Sequence, residues 1–244
     1  MVRSGVTLMS LLYMVRHGQA SFGDENYDVL SPRGIEQSRI LADYLIELGI
    51  LFDAVYTGTM DRQTRTAREM IAQYREKGLS IPDPCTMPHF NEYDSKAITL
   101  SQVADVVREA PELGKDLDSI YTDRKAFQRV FERVMFRWVT GKHDKPGVES
   151  WAEVNARVGE GLKAVMAETG RNRTVLVVAS GGTISASVKR ATGISDENTM
   201  QLCWQIVNSS ITRFMYDGER ITLSVFNSYP HLELKKDRAL ITYR

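Results

Sequence analysis

Leu11-Leu12-Tyr13-Met14-Val15-Arg16-His17-Gly18-Gln19 is the stretch that decides how this chain is read. Five apolar residues run together, without the alternation of a half-solvated strand. That pattern fits a central parallel strand buried on both faces. The strand ends on a guanidinium, an imidazole and a glycine turn. In an open α/β sheet, ligands gather beyond the carboxyl ends of the strands, so these polar groups stand where a site belongs.

Working outward, Ser31-Pro32-Arg33-Gly34 opens a helix, with Ser31 as cap and Pro32 at the first position. Ile40, Leu41, Tyr44, Leu45 and Leu48 keep helical spacing, and Gly49 ends the run. Phe52 to Tyr56 reads as a short strand and Thr59 to Tyr74 as the next helix. Thr174-Val175-Leu176-Val177-Val178-Ala179 is a second fully apolar strand, followed by a Gly-Gly turn and a helix from Thr183 to Ala191. Ser210–Tyr216 and Arg220–Phe226, joined by Asp217-Gly218, read as a hairpin.

The alternation predicts one three-layer α/β/α domain over residues 1–244, with a mostly parallel sheet and an antiparallel edge strand. Residues 1–9 are expected to form a leader. No strand reads clearly between Tyr93 and Gly147, so about 93–147 is expected to be a helical cap insertion. Within it, Phe127, Val130, Phe131, Val134 and Trp138 give an amphipathic helix. Lys125, Arg129, Arg133 and Arg137 make a basic stripe, read as a solvated face, with attraction of anionic substrates as the alternative.

Composition excludes several classes. The chain has 244 residues, with Lys+Arg and Asp+Glu at 31 each and a formal net charge of +0. That balance argues against a partner held by global charge, so nucleic acid is not expected. The apolar stretch from Val6 to Val15 is too short to span a bilayer, and no membrane partner is expected. Cys85 and Cys203 cannot build a disulfide framework; they fit a reducing, cytoplasmic setting.

Three strand ends carry the chemistry. The first gives Arg16, His17 and Gln19; the second runs through Thr57-Gly58-Thr59 to Arg62; the third gives Ser180-Gly181-Gly182-Thr183. Two guanidiniums, an imidazole, a hydroxyl and a helix N-terminus describe a pocket for phosphate with a nucleophile in it.

In these blocks the chain resembles the histidine phosphatase superfamily, also called the phosphoglycerate mutase-like family. Arg16-His17-Gly18 is similar to the family's motif after the first strand. Tyr27-Asp28-Val29-Leu30-Ser31, with Gly34 and Gln37, resembles the approach to the first helix. Thr57 to Ala67, containing Arg62, is similar to the stretch with the second phosphate-binding arginine, and Asn91-Glu92-Tyr93-Asp94 to the segment with the proton donor. Val177 to Thr183, Asn208–Thr212 and Asn227–Leu232 resemble the remaining strands. Two departures stand out: Ser180 replaces the usual second pocket histidine, and Ala20 and Gly23 alter the continuation of the first motif, where Gln19 or Ser21 supplies the polar contacts.

The resemblance implies a phosphomonoester hydrolase acting through a phosphohistidine on a small phosphorylated metabolite. His17 is then the nucleophile and Glu92 the proton donor, with Asp94 its competitor. Arg16, Arg62 and Gln19 bind the phosphoryl group, and Ser180 with the amides of Gly181 and Gly182 completes the anion hole. No cofactor and no metal is implied, since His89 and Glu92 lack a third ligand. Ser180 as a simple helix cap is the bland alternative. Glu149-Ser150-Trp151 is expected to border the site. The alternatives in function are a phosphoglycerate-type mutase and a non-catalytic phospholigand-binding protein. A serine hydrolase on Ser180 ranks behind them, because Val178 stands where a nucleophile elbow wants glycine.

Overall fold

The computed structural model describes residues 9–21, 28–118, 123–218 and 220–243. The expected leader (apart from Met9), Gly23 and Tyr27 lie outside the described residues. In chain order the elements are β1 (Ser10–Arg16), α1 (Pro32–Glu47), β2 (Ala54–Thr57), α2 (Asp61–Glu76), β3 (Cys85–Thr86), α3 (Ser95–Glu109), α4 (Gly114–Asp118) and α5 (Arg124–Val139). They continue with α6 (Trp151–Thr169), β4 (Thr174–Ala179), α7 (Gly181–Thr192), α8 (Asp196–Gln205), β5 (Ile211–Tyr216), β6 (Ile221–Ser228) and α9 (Pro230–Glu233).

The strands form one sheet in the order β3-β2-β4-β1-β5-β6. β3, β2, β4 and β1 are parallel neighbours, and the closing hairpin adds β5 antiparallel to β1. Strand alternation sorts the apolar runs onto two faces. Leu12 and Met14 enter one core with Val175 and Val177, whereas Tyr13 and Val15 enter the other with Leu176 and Val178. The second core is covered by α1 and α2, and the first by α5 to α8. The chain therefore leaves β1 toward one face and β4 toward the other. Their adjacent carboxyl ends form the crevice at which such a sheet binds ligands.

Local signals explain most boundaries. Ser31 Oγ accepts the Gly34 amide at 3.1 Å as the cap of α1, and Gly49 leaves that helix with φ 70°. α2 starts at Asp61, two residues later than expected, because Asp28 of a preceding loop accepts the Asp61 amide at 2.8 Å. In the hairpin, Gly218 has φ 100° and Asp217 Oδ1 accepts the Arg220 amide at 3.0 Å. Three helices carry no counterpart in the sequence reading: α6, α8 and α9.

α3 to α5 occupy the segment expected to be a helical cap. The basic stripe of α5 is for the most part the solvated face read from sequence, since Lys125, Arg129 and Arg133 are exposed, but two of its arginines also make ion pairs. Arg129 binds both carboxylate oxygens of Asp116 on α4, at 2.8 and 2.5 Å. Arg137 pairs with Glu109 of α3 and donates to Gln102 at 2.9 Å. Lys125 and Arg133 are exposed. Half the stripe thus ties the cap helices together, at the modest ~0–1 kcal/mol of surface ion pairs. Among the described residues no helix is long and apolar enough to cross a membrane.

Trp138 joins the cap to the main body. It is 1% exposed, its Nε1 donates to the Glu149 carbonyl at 2.9 Å, and its ring packs on Tyr93 and Trp151 at 4.9 and 5.4 Å between centroids. Trp138→Ala is expected to cost about 3–5 kcal/mol, from lost burial and the void left behind. Urea unfolding checks this: the midpoint should fall with an unchanged slope.

Candidate active site

The backbone around His17 is fixed from several sides. His17 N–H donates to the Ala179 carbonyl of β4 at 2.9 Å, and the Gly18 amide donates to Thr66 Oγ1 of α2 at 3.0 Å. The His17 carbonyl accepts from Asn208 Nδ2 at 3.1 Å and from the Ser209 amide at 3.3 Å. A methyl on Gly18 would stand 2.2 Å from the Gly34 carbonyl, and one on Gly34 would stand 2.1 Å from that of Gln19. Only paired glycines let this turn lie against the start of α1.

The imidazole is oriented at both nitrogens. Nδ1 is 2.7 Å from the Gly18 carbonyl, which can only accept, so Nδ1 carries the proton. Nε2 then holds the lone pair, and it receives Arg62 Nε at 3.2 Å. Burial, then the charge of Arg62, then that of Arg16, hold this ring well below the ordinary histidine pKa, against the opposing Gly18 carbonyl. The result is a buried, neutral imidazole with its nucleophilic nitrogen fixed.

Arg62 itself is 6% exposed and pairs with Asp28 at 2.6 Å. Arg16 donates to the Ile206 carbonyl. Arg16, His17, Gln19, Arg62, Glu92 and Gly181 all line one cavity of about 1100 Å³. Gln19 is set by Ser31 Oγ on its side chain, at 3.1 Å, and by Gln37 on its amide, at 2.8 Å.

Glu92 is presented by the segment before α3. Its Oε2 accepts the Gly182 amide at 2.9 Å and its Oε1 the Tyr93 amide at 3.2 Å. A methyl on Gly182 would lie 2.2 Å from Glu92 Oε1 and 2.3 Å from the Tyr93 ring, so glycine is needed there. The Gly182 amide is accordingly engaged by Glu92 in this structure, which corrects its assignment to an anion hole. Asp94, the competing acid, caps α3 by accepting the Lys96 and Ala97 amides at 3.0 and 2.9 Å, though it also lines the cavity.

Ser180 is the residue that the fold keeps apart from the others. It is fully buried and does not line the cavity. Its Oγ accepts from Gln63 Nε2 at 2.9 Å, and it makes no side-chain cap on α7 despite standing at the N-cap. The same contact leaves the serine-nucleophile alternative without a histidine beside its hydroxyl. No other histidine takes the open place. His89 packs against Gly161 of α6, His231 lies beside Ser209 at 3.1 Å, and neither they nor His143 line the cavity.

Glu149-Ser150-Trp151 acts at one remove. Ser150 and Glu153 form a capping box on α6, and Trp151 Nε1 donates to Asp196. Glu149 grips Arg157 at 2.8 and 3.0 Å, and Arg157 donates to the His89 and Asn91 carbonyls at 2.9 Å each. That clamp holds the segment immediately before Glu92. Residues missed from sequence include Met60, Phe127, Phe131, Trp204 and the C-terminal Ile241–Tyr243, which all line the cavity. Cys203 also borders it, but burial, then Glu92, push its thiol up to about 12, so it is no nucleophile. Among the described residues no three His, Cys, Asp or Glu side chains converge to hold a metal ion.

A family profile described as the histidine phosphatase superfamily (branch 1) matches residues 12–135 and 121–229. The chain is 27% identical over 231 residues to a provisionally named phosphoserine phosphatase 2 of Hydrogenobacter thermophilus, covering 91% of this chain and 98% of that protein. It is 26% identical over 201 residues to a 2,3-bisphosphoglycerate-dependent phosphoglycerate mutase of Rhizobium etli, covering 80% and 86%. The fold is similar to that of a phosphoserine phosphatase from Entamoeba histolytica solved with phosphoserine. There the TM-score is 0.62 at 18% identity, over 92% of this chain and 100% of that one. With its profile running from the first strand to the last, the chain belongs to branch 1 of the histidine phosphatase superfamily.

Proposed function

We propose that this protein is a metal-independent phosphomonoesterase that works through a phosphohistidine on His17. One observation carries the reading: a neutral imidazole at the floor of a cavity, its proton held on Nδ1 by a carbonyl and its Nε2 facing a guanidinium. In this mechanism a bound phosphoryl group takes the Arg62 donor from Nε2, and that nitrogen attacks phosphorus. Arg16 and Arg62 clamp the equatorial oxygens where charge gathers, with Gln19 and the Gly181 amide at the edge. The ester P–O bond breaks as protonated Glu92 delivers its proton to the departing alkoxide. The Glu92 carboxylate then takes a proton from water, which displaces His17 from phosphorus and releases inorganic phosphate. Ester and water thus become alcohol and phosphate, with the enzyme restored.

Hydrolysis fits better than mutase chemistry. A mutase must shelter its phosphohistidine from water and keep the dephosphorylated acid bound, whereas this cavity is wide and has one imidazole. The ligand is a small phosphorylated molecule, as in the relatives named for phosphoserine and phosphoglycerate. Both cysteines are free thiols, which supports a reducing cytoplasm.

Four outcomes test this assignment. Acid-quenched enzyme taken during turnover should carry acid-labile phosphate that His17→Ala lacks; an active His17→Ala protein would overturn the mechanism. Glu92→Gln should slow alkyl phosphates about a hundredfold or more and aryl phosphates much less, because only alkoxides need the proton. Carbon-13 spectra of labelled histidine should show no titration of His17 between about pH 8 and pH 6. Arg62→Met removes a charge that disfavours imidazolium, so it should raise the His17 pKa, while burial, the larger cause, keeps it below the ordinary value.

A further inference from the structure

The cavity changes character above its floor. Arg16 ends β1, Arg62 stands in the first turn of α2, and Glu92 reaches in from the segment before α3. The cap side brings Ser95, Lys96 and Gln128 to the lining and, beside them, two aromatic rings. Phe127 and Phe131, one turn apart on α5, stack at 5.5 Å between centroids and 13° between planes. They are only half-buried, whereas Val130, Val134 and Trp138 of the same helix are wholly inside the core. Trp204 of α8 also lines the cavity, and Phe136 meets its ring edge-on at 5.2 Å, which fixes its plane. Met60 and Ile241 add aliphatic surface. Four separate parts of the chain therefore turn apolar or aromatic side chains toward one space.

Charge arithmetic points the same way. The described lining carries three cations, Arg16, Arg62 and Lys96, and two acids, Glu92, which is protonated in the proposed mechanism when the ester binds, and Asp94. A phosphate dianion offsets the two floor arginines. Among the described lining residues a second anionic group on the ligand would find one further cation, Lys96, exposed and two residues from the Asp94 carboxylate. The volume, about 1100 Å³, exceeds what a phosphorylated three-carbon acid fills; pockets of about 300–1,000 Å³ hold drug-sized ligands.

We infer that the substrate is the phosphate monoester of an alcohol with a flat apolar or aromatic body and no carboxylate, the body lying against Phe127 and Phe131. The inference rests on the phosphomonoesterase reading for its reaction, but the recognition surface is separable from it. Rigid aromatic rings bind a planar body at little entropic cost, and each apolar group removed from water adds affinity. A carboxylated ester instead brings a charge for which the described lining, beyond the floor arginines, offers one exposed lysine, Lys96.

Two sets of measurements separate the two claims. Values of kcat/KM are compared for 2-(2-naphthyl)ethyl phosphate, ethyl phosphate, phosphoserine and 3-phosphoglycerate; all four have primary alkyl leaving groups and differ mainly in the body. Binding of 2-(2-naphthyl)ethylphosphonate and ethylphosphonate, which cannot be hydrolysed, is measured by calorimetry. The naphthyl ester should exceed ethyl phosphate at least about tenfold, with both carboxylated esters at or below ethyl phosphate. The naphthyl phosphonate should bind at least about tenfold more tightly than the ethyl one. Replacing Phe127 and Phe131 together by Ala should shrink the naphthyl-to-ethyl ratio by about tenfold. If that variant does not fold, the wild-type ratios decide alone. Equal treatment of naphthyl and ethyl compounds, or preference for phosphoserine, overturns the inference and leaves the phosphatase reading intact. Selective phosphonate binding with no turnover of any ester upholds the recognition surface and overturns the phosphatase reading.

Discussion

The hydrogen bond from His17 Nδ1 to the Gly18 carbonyl is the contact on which the rest of the site depends, because it decides which nitrogen faces the cavity. The surrounding architecture exists to hold that short turn still. β4 takes the His17 amide, α2 takes the Gly18 amide, and the turn before β5 donates to the Arg16 and His17 carbonyls. Ser209 reaches those carbonyls only from a left-handed backbone, φ 58°, an uncommon state for a non-glycine residue. Strain of that kind persists where neighbours over-determine it. Here Asn208 is tied to Thr242 at 2.9 Å, and His231 lies against Ser209. The C-terminal segment is thereby coupled to the nucleophile's backbone as well as to the cavity wall.

α5 serves the core and the cavity with two faces of one helix. Val130, Val134 and Trp138 follow each other at four-residue spacing, and Phe127 and Phe131 do the same three residues earlier. An offset of three residues is about 60° around the helix, enough to move a stripe from the packed interior to the edge of the opening. Cap stability and ligand recognition are thus set by neighbouring stripes. The ion pairs of Arg129 and Arg137 orient α3 and α4 on α5, but burial of Trp138 and the valines carries the energy.

Much of this was legible in the sequence where the signal is local. The strand Thr174–Ala179 and the helix after Ser31 came out within a residue, since uninterrupted apolar runs and a Ser-Pro start leave few alternatives. The gathering of Arg16, His17, Arg62 and Glu92 followed from strand ends and from family resemblance. Other failures had definite causes. α6 announces itself by Ser150 and Glu153 in a capping box and by Val154, Val158, Leu162 and Val165, so that signal was present and simply unused. β3 is two residues long and exposed, held by Tyr56 and Thr57 of its neighbour, and no periodicity reveals it. The partners of the basic stripe, and the arrival of Trp204 and Ile241 at the cavity, depend on contacts between distant parts of the chain.

Ser180, read from sequence as a departure from the family's pattern, lies among buried polar groups. Gln63, fully buried, donates both to Ser180 Oγ and to the Phe90 carbonyl at 2.9 Å. Phe90 is two residues from Glu92, and Thr183 Oγ1 donates to the Phe90 and Asn91 carbonyls at 3.2 and 3.0 Å. The same amide group therefore fills the space beside Ser180 and anchors the segment that presents Glu92. On the proposed mechanism this divides the labour sharply. The start of α7 supports the acid through the Gly182 amide, and the developing phosphoryl charge falls to Arg16 and Arg62. A histidine at position 180 would have to displace Gln63, whose Oε1 is already packed against Gly58 so closely that a methyl there would stand 2.0 Å away. Positions 63 and 180 are consequently one coupled unit.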